Sequence, residues 1–193
     1  LPTVTCSLAG FNIGQTWSAA QTFRATNAIR VEAASTQDAI ILAGRAGGCC
    51  EDNGPARDAL LSLPYSVAVD AQNRVYFSDS SFSVIRRIDT NGIITRFAGT
   101  GNSGFSGDGG PATSAAFSSP NGLVFDAAGN LYVADRTNRR IRRITPAGIV
   151  STVAGDGQTR FGGDGGPALS ASFSYPYALA INVTGDIFVA DLV

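Results

Sequence analysis

Aspartates that recur in Gly-rich loops are the side chains in this sequence best suited to binding a metal ion. Asp108 and Asp164 each follow a glycine and precede Gly-Gly-Pro-Ala, and Asp52 lies 56 residues before Asp108. Carboxylate and backbone carbonyl oxygens are the ligands that Ca²⁺ prefers. An aspartate in such a turn also bonds its own backbone, and one carboxylate per loop favours that structural role. We therefore expect no resident cofactor, and calcium is the ion that these loops would suit.

The same loops lack the features of a nucleotide site, because no Gly-Lys-Ser/Thr ending follows the glycines and no Rossmann strand precedes them. The sequence contains no histidine, which excludes serine-histidine triads and metal sites built on imidazole. Glu32 and Glu51 are the two glutamates, and neither lies in a recognisable constellation. We expect a protein that is not an enzyme. The catalytic alternative is a carboxylate- and calcium-dependent hydrolase or lactonase.

A dense group of arginines lies between positions 136 and 143. Its members are Arg136, Arg139, Arg140, Arg142 and Arg143. The chain as a whole carries 14 basic and 15 acidic residues, a formal net charge of −1, so no global field favours nucleic acid. No aromatic residue is interleaved with the group in the sequence. We expect no nucleic-acid binding and interpret the group as a solvated outer strand, where arginine disfavours unwanted strand pairing.

Three cysteines, Cys6, Cys49 and Cys50, give an odd count. An odd number suggests one disulfide and one thiol that pairs elsewhere; three reduced thiols are the alternative. Adjacent cysteines make strained partners, so Cys6 is expected to bridge to Cys49 or to Cys50. The tripeptide that begins at Asn182, Asn-Val-Thr, is an N-glycosylation sequon on a predicted turn.

The composition is that of a globular protein, with 44% hydrophobic and 15% charged residues. The sequence has no methionine and opens on Leu1, so we expect a processed product or a segment of a longer protein. No apolar run approaches the roughly 18 residues of a membrane-spanning helix. We therefore expect no membrane span.

An internal repeat with a period of 56 residues organises the chain from about residue 43 onward. Several residue types recur at this interval: Pro55, Pro111 and Pro167; Pro64, Pro120 and Pro176; Asp79, Asp135 and Asp191. The segments 86–88 and 142–144 both read Arg-Arg-Ile. The coincidence of so many offsets fixes one register over about 150 residues, which is the mark of a repeat architecture.

Each unit predicts four short antiparallel strands. In the second unit the strand-like segments are 122–126, 131–135, 139–144 and 149–154, separated by turns that contain Gly and Asn. Large residues occupy alternate positions of the first segment, with small apolar residues between them, so both of its faces are expected to be covered. Four such strands per repeat describe a propeller blade, and the predicted fold is an all-β propeller of four-stranded antiparallel blades.

The second unit resembles a known repeat. Its segment 131–135, Leu-Tyr-Val-Ala-Asp, with Asn138, Arg139 and Ile141, is similar to the NHL repeat, and the resemblance implies a six-bladed propeller in most members. The loops 105–112 and 161–168 are similar to the inter-blade loops of bacterial secreted NHL proteins and of teneurin-type adhesion receptors. The match covers residues 43 to 193. It implies a fold and no particular activity.

The repeat divides the chain into an N-terminal segment, 1–42, and propeller blades, 43–193, of which the third is truncated after two strands. Segments 26–31 and 39–44 resemble third and fourth strands, so the N-terminal segment is expected to contribute outer blade strands. Two blades and a composite third are too few for a closed ring, since propellers have about four to eight. The ring is therefore incomplete, or is completed by more chain or by a second subunit.

These features together predict a non-catalytic extracellular or cell-surface propeller for protein-protein assembly or adhesion, such as a structural subunit of a fibre or matrix. A ligand-sensing receptor propeller is the other non-enzymatic alternative. The long loops present Phe105, Asp108, Phe161 and Asp164 at matched positions, and these are the candidate contact residues. The expected partners are proteins, either further copies of the chain or neighbouring subunits.

Overall fold

The computed structural model describes residues 7–8, 11–12, 29–32, 39–44, 52–160 and 162–192. Within these ranges β1 and β2 (Ser7–Leu8 and Phe11–Asn12) form one two-stranded sheet. A second is formed by β3 and β4 (Ile29–Glu32 and Ala39–Ala43). A third consists of β13 and β14 (Pro176–Ile181 and Ile187–Asp191).

Two complete blades lie between these sheets. The first contains β5 (Pro64–Val69), β6 (Val75–Asp79), β7 (Val84–Ile88) and β8 (Ile94–Ala98). The second contains β9 (Pro120–Phe125), β10 (Leu131–Asp135), β11 (Arg140–Ile144) and β12 (Val150–Ala154). In both, the strand order follows the chain and neighbours are antiparallel. The predicted all-β architecture of four-stranded antiparallel blades is confirmed.

The helical segments of the described chain are four short 3₁₀ turns: Ala56–Asp58, Ser80–Phe82, Ala112–Ser114 and Ala168–Ser170. Three of them follow the prolines that recur every 56 residues, where a fixed backbone φ suits the first turn of a helix. None of the helices in the described ranges is long and apolar enough to cross a bilayer.

Tight turns join the first and second strands of each unit, as the sequence predicts. Asn73, Gly129 and Gly185 adopt φ angles of 59°, 81° and 90° in these turns. Such left-handed backbone conformations favour glycine and asparagine. In the first blade the carboxylate of Asp70 closes the turn, because it accepts the backbone N–H of Arg74 at 2.9 Å and the hydroxyl of Tyr76 at 3.1 Å.

The N-terminal hairpin β3–β4 shares a register irregularity with the outer hairpins of the complete blades. Strand pairing is interrupted directly after Ile29, after Ile85 and after Ile141. The backbone N–H of Gly44, just beyond β4, donates to the Ala56 carbonyl at 3.2 Å. The sheets β3–β4 and β13–β14 are separate among the described strands. The expected contribution of this hairpin to an outer blade remains a prediction.

Blades stack through their first strands. Strand β9 lies against β5 on one side and against β13 on the other. A core between the two complete blades contains Tyr76, whose ring meets Phe97 and Phe125 edge-on at centroid distances of 4.9 and 5.0 Å. The backbone N–H of Leu123 in β9 donates to the Ser66 hydroxyl in β5 at 3.0 Å. Both the packing and this hydrogen bond fix the separation of the blades.

The arginine-rich third strand is not an outer edge, so the sequence interpretation of a solvated edge is wrong. Strand β11 lies between β10 and β12 and is paired on both sides. The side chains of Arg86 in β7 and Arg142 in β11 are fully buried. Buried charges of this kind require compensating partners, because their desolvation is costly.

Gly122 in β9 marks the closest approach between the second blade and the third unit. A Cβ added at Gly122 would lie 2.8 Å from the carbonyl oxygen of Tyr177 and 2.9 Å from the Cα of Ala178. Both are backbone atoms that cannot move without shifting β13. The small residues of the first strand therefore allow one blade to approach the next, as expected from the alternation in sequence.

We predict that Gly122→Ala lowers the free energy of unfolding by about 1–3 kcal/mol, the usual cost of forcing extra volume into a packed interior. Gly54→Ala is the matched control, because nothing lies within 4 Å of a Cβ placed at Gly54. Urea denaturation of both variants measures the difference. Equal stability of the two variants would show that β9 and β13 do not pack as described.

Candidate functional site

The guanidinium of Arg142 in β11 is surrounded by acceptors. Its Nε and Nη2 donate to Asp108 Oδ1 at 3.1 and 2.8 Å, and its Nη1 donates to Asp135 Oδ2 at 3.2 Å. Nη2 also donates to the carbonyl of Ser106 at 3.0 Å. The second oxygen of Asp108 accepts the hydroxyl of Thr152 at 2.7 Å. The loop that precedes the blade is thereby attached to the blade's third and fourth strands.

The first blade repeats this arrangement around Arg86. The Nε and Nη2 of Arg86 lie 3.2 and 3.1 Å from Asp52 Oδ1. Its Nη1 donates to the carbonyl of Leu60 at 2.6 Å and lies 4.0 Å from Asp79 Oδ2. In both blades the loop aspartate precedes the arginine by 34 residues. We call each set of one arginine, one loop aspartate and one strand-end aspartate a clasp.

The clasp accounts for the loop aspartates that the sequence offered as calcium ligands. Both carboxylate oxygens of Asp108 are engaged by Arg142 and Thr152. Asp164 in the third unit is exposed, in a loop with the same tight turn. Among the described residues no group of three or more His, Cys, Asp or Glu side chains is placed to hold a metal ion. The described arrangement of Asp108 is that of an ion pair.

The strand-end aspartates bind the loop that comes before the first strand. Asp135 accepts the backbone N–H of Ser118 at 2.8 Å, and Asp191 accepts that of Tyr175 at 2.7 Å. Asp79 makes the same type of bond to N–H groups 16 and 17 residues upstream. The sequence expectation that these carboxylates accept amides of the following turn is wrong. Their position in every unit instead fixes the entry to each blade.

Burial raises the pKa of Asp135 to about 6, because ionisation in a desolvated site is unfavourable. Hydrogen bonds from Asn138 and Ser118 and the charge of Arg142 oppose this effect. Burial also raises the pKa of Asp79. In each clasp two carboxylates share one arginine, so one of the acids lacks a cation of its own.

These shifts predict the pH dependence of stability. The pKa of Asp135 lies near 6 in the folded protein against an ordinary value of 3.8, so the folded state binds more protons than the unfolded state between these values. The stabilising contribution is complete below the lower value and is lost as the pH rises through 6. We therefore predict that the free energy of unfolding increases from about pH 7.5 to about pH 5.

Urea denaturation across this range measures the effect, and Asp135→Asn is the comparison because amide and carboxylate have the same shape. The rise in stability is expected to be smaller in Asp135→Asn than in the unaltered chain. Parallel profiles for the two proteins would show that Asp135 is not the group that titrates. Below about pH 4 both should lose stability as ordinary carboxylates become protonated.

We predict that Arg142→Met lowers the free energy of unfolding by about 3–5 kcal/mol, because the change leaves a carboxylate buried without its cation. Arg96→Met removes the same charge from an exposed position and should change stability by no more than about 0.5 kcal/mol. Chemical denaturation measures both. Asp108→Asn, which preserves shape and removes the loop charge, is the milder variant if Arg142→Met does not fold. A small effect of both would contradict the clasp.

Phe105, a candidate contact residue, lies on the arginines of the second blade. The ring centroid is 4.0 Å from the guanidinium carbon of Arg140 and 4.8 Å from that of Arg142. The Phe105 side chain remains 44% exposed, so it covers the clasp and also faces solvent. Its repeat equivalent Phe161 lies outside the described residues, as do all three cysteines.

Tyr175, just before β13, brings an aromatic ring to the arginine group that the sequence showed without one. The guanidinium carbons of Arg136 and Arg139 lie 5.0 and 5.8 Å from its ring centroid. The statement that no aromatic residue is interleaved with these arginines holds along the chain but not in space. Linear spacing could not show it, because Tyr175 belongs to the next unit.

Asn182, the sequon residue, occupies the exposed turn between β13 and β14 as predicted. Its Oδ1 accepts the hydroxyl of Thr184 at 2.7 Å, and its Nδ2 donates to Asp186 Oδ2 at 2.8 Å. Hydrogen bonds from Asn182 and Thr184 lower the pKa of Asp186. Glycosylation of Asn182 stays a prediction.

A cleft of about 520 Å³ lies between the first-strand turns of the two complete blades. Phe97 and Phe125 contribute apolar walls, and Asp70 and Asp126 lie at the turns. Hydrogen bonds to neighbouring groups lower the pKa of both aspartates despite the opposing effect of burial. The two carboxylates therefore serve the turns that they close.

The repeated blades and their clasps define a propeller of the NHL class. The Teneurin NHL domain family matches residues 42–106 and 99–162 of this sequence, and the chain belongs to that family. Teneurin-3 of Danio rerio is 38% identical over 71 residues, which cover 33% of this chain and 3% of that protein. Teneurin-4 of Homo sapiens is 27% identical over 222 residues, covering 74% and 8%. The chain therefore spans a small fraction of these relatives.

Solved structures agree on the fold. A Bacteroides thetaiotaomicron protein of unknown function superposes with a TM-score of 0.67 at 25% identity, over 86% of this chain and 40% of that chain. A chain of the nidogen/laminin complex superposes with a TM-score of 0.56 at 17% identity, over 85% and 48%. At the latter identity the likeness concerns the fold alone. In both cases this chain spans less than half of the structure that it matches.

Proposed function

We propose that this chain is part of a non-catalytic extracellular propeller module that acts in protein-protein assembly or adhesion. The observation that carries the proposal is the clasp. The repeated aspartates and arginines, which were the strongest candidates for chemistry in the sequence, are bound to one another in the described blades. Membership of the Teneurin NHL domain family supports a module that contacts proteins through its faces.

Exposed apolar residues at the two ends of the blade stack support assembly. Val69 in β5 is 54% exposed, whereas Phe125, its repeat equivalent in β9, packs on Tyr76. Phe188 in β14 is 58% exposed, whereas Tyr76, its equivalent in β6, is 2% exposed. Exposed apolar patches of this kind are typical of association surfaces. The contact between Tyr76 and Phe125 is the pattern on which Phe188 would pack against Val69 of another subunit.

The N-terminal hairpin provides a route to closure within this proposal. Strands β3 and β4 have the register irregularity of third and fourth strands, and β13 and β14 pair as first and second strands. A subunit's β3–β4 would complete the half-blade β13–β14 of its neighbour. Closing the sheet in this way removes exposed edges. One disulfide and a remaining thiol among Cys6, Cys49 and Cys50 would suit an extracellular assembly.

We predict that light scattering of the complete chain gives a mass above the 19.8 kDa of one chain, because the apolar ends pair. Val69→Ser with Phe188→Ser should shift the protein toward the monomer. Leu169→Ser is the control, since Leu169 is 57% exposed on a loop away from both ends. A reductant-dependent mass would identify an intermolecular disulfide. A monomer at every concentration would contradict self-assembly.

The enzymatic alternative has a direct test. A calcium-dependent lactonase would release acid from glucono-δ-lactone in the presence of Ca²⁺, followed in a pH-stat. The proposed function predicts the spontaneous rate with or without the protein. Hydrolysis that chelator abolishes would replace the assembly proposal by the hydrolase or lactonase alternative.

A further inference from the structure

Part of the arginine group departs from the internal repeat. Arg142 and Arg143 have arginines 56 residues earlier, at Arg86 and Arg87. Three others do not: the positions equivalent to Arg136, Arg139 and Arg140 are Ser80, Ser83 and Val84. The first blade folds without these three charges. They are therefore additional to the architecture that the two complete blades share.

These three guanidiniums have no carboxylate partner within 4 Å among the described residues. The Nε atoms of Arg136 and Arg139 are buried without a hydrogen-bond partner there. Arg140 donates through Nη1 and Nη2 to the backbone carbonyls of Asn138 and Asp156 at 2.8 and 3.0 Å. Neutral carbonyls satisfy donors but do not neutralise charge. The second blade thus concentrates positive charge in a chain whose formal net charge is −1.

Aromatic rings hold the guanidiniums in place. Tyr175, which is 41% exposed, lies beneath Arg136 and Arg139, and Phe105 lies beneath Arg140. Stacking against a ring reduces the side-chain entropy that an arginine loses when it binds a ligand. The edges of a stacked guanidinium keep the geometry for paired hydrogen bonds to a carboxylate.

We propose that Arg136, Arg139 and Arg140, with Tyr175, form a docking site for an acidic segment of a protein partner, rich in Asp or Glu. This inference rests on the proposed assembly function and names the chemistry of the partner. Charge complementarity favours the acidic segment. Single-stranded nucleic acid is disfavoured because its bases require free aromatic faces, whereas here arginines already lie over Tyr175 and Phe105.

A fluorescein-labelled decaglutamate peptide tests the site by fluorescence anisotropy with the complete chain at about 20 mM salt, where screening is weak. Decaglutamine is the neutral peptide control. Arg136→Gln with Arg139→Gln should weaken decaglutamate binding by about tenfold or more, since charge-assisted hydrogen bonds are lost. Arg57→Gln with Arg96→Gln removes two exposed charges from the first blade and should leave the affinity within about twofold.

The ring is tested separately by Tyr175→Phe, which should retain binding, and Tyr175→Leu, which should weaken it. Thermal unfolding of each variant must match the unaltered chain, and Arg139→Gln alone serves if the double variant is unstable. Failure of decaglutamate to bind, or equal loss in both double variants, would overturn the proposal. So would tighter binding of an oligouridylate that the same substitutions abolish. Light scattering of these variants separates this result from self-assembly, which uses the ends of the stack.

Discussion

A guanidinium buried in the third strand of a blade is the group on which both loop and sheet depend. Removing a charge from water costs several kcal/mol unless partners replace the solvent. Arg142 receives those partners from Asp108 in the preceding loop, from Asp135 at the end of the second strand and from the Ser106 carbonyl. The long inter-blade loop can therefore adopt one conformation without a helix or a metal ion to order it. Asp135 also binds the entry to the first strand, so one charged network fixes three parts of the blade.

Packing between blades follows a different principle. Strands β5, β9 and β13 lie side by side, and Gly122 permits backbone approach where a methyl group would meet Tyr177. The edge-to-face contacts of Tyr76 fill the space between the complete blades. Polar chemistry thus organises each unit internally, and close apolar packing joins one unit to the next. The exposure of Val69 and Phe188 shows the same surfaces where no neighbour covers them.

The architecture could be predicted from sequence because its signals are local and repeated. Period-two alternation, turn residues and the 56-residue interval identified the strands and their order. The clasp was missed because its members are 34 residues apart and arginine ordinarily lies on a surface. The recurrence of both Asp108 and Arg142 in the first blade, as Asp52 and Arg86, was the available signal. Tyr175 on Arg136 had no such signal, since that contact joins different units and does not recur.

The position of the clasp within the repeat has a consequence for how such chains lengthen. Asp108 and Arg142 lie on one 56-residue stretch, so a duplication that copies the stretch brings both charges together. The new unit is electrostatically complete on arrival and needs no adjustment in its neighbours. A crossover between the aspartate and the arginine would instead separate them and leave a cation to be buried alone. Recombination is therefore tolerated at one phase of the repeat and opposed at another, and the boundary between the two phases is set by a single ion pair.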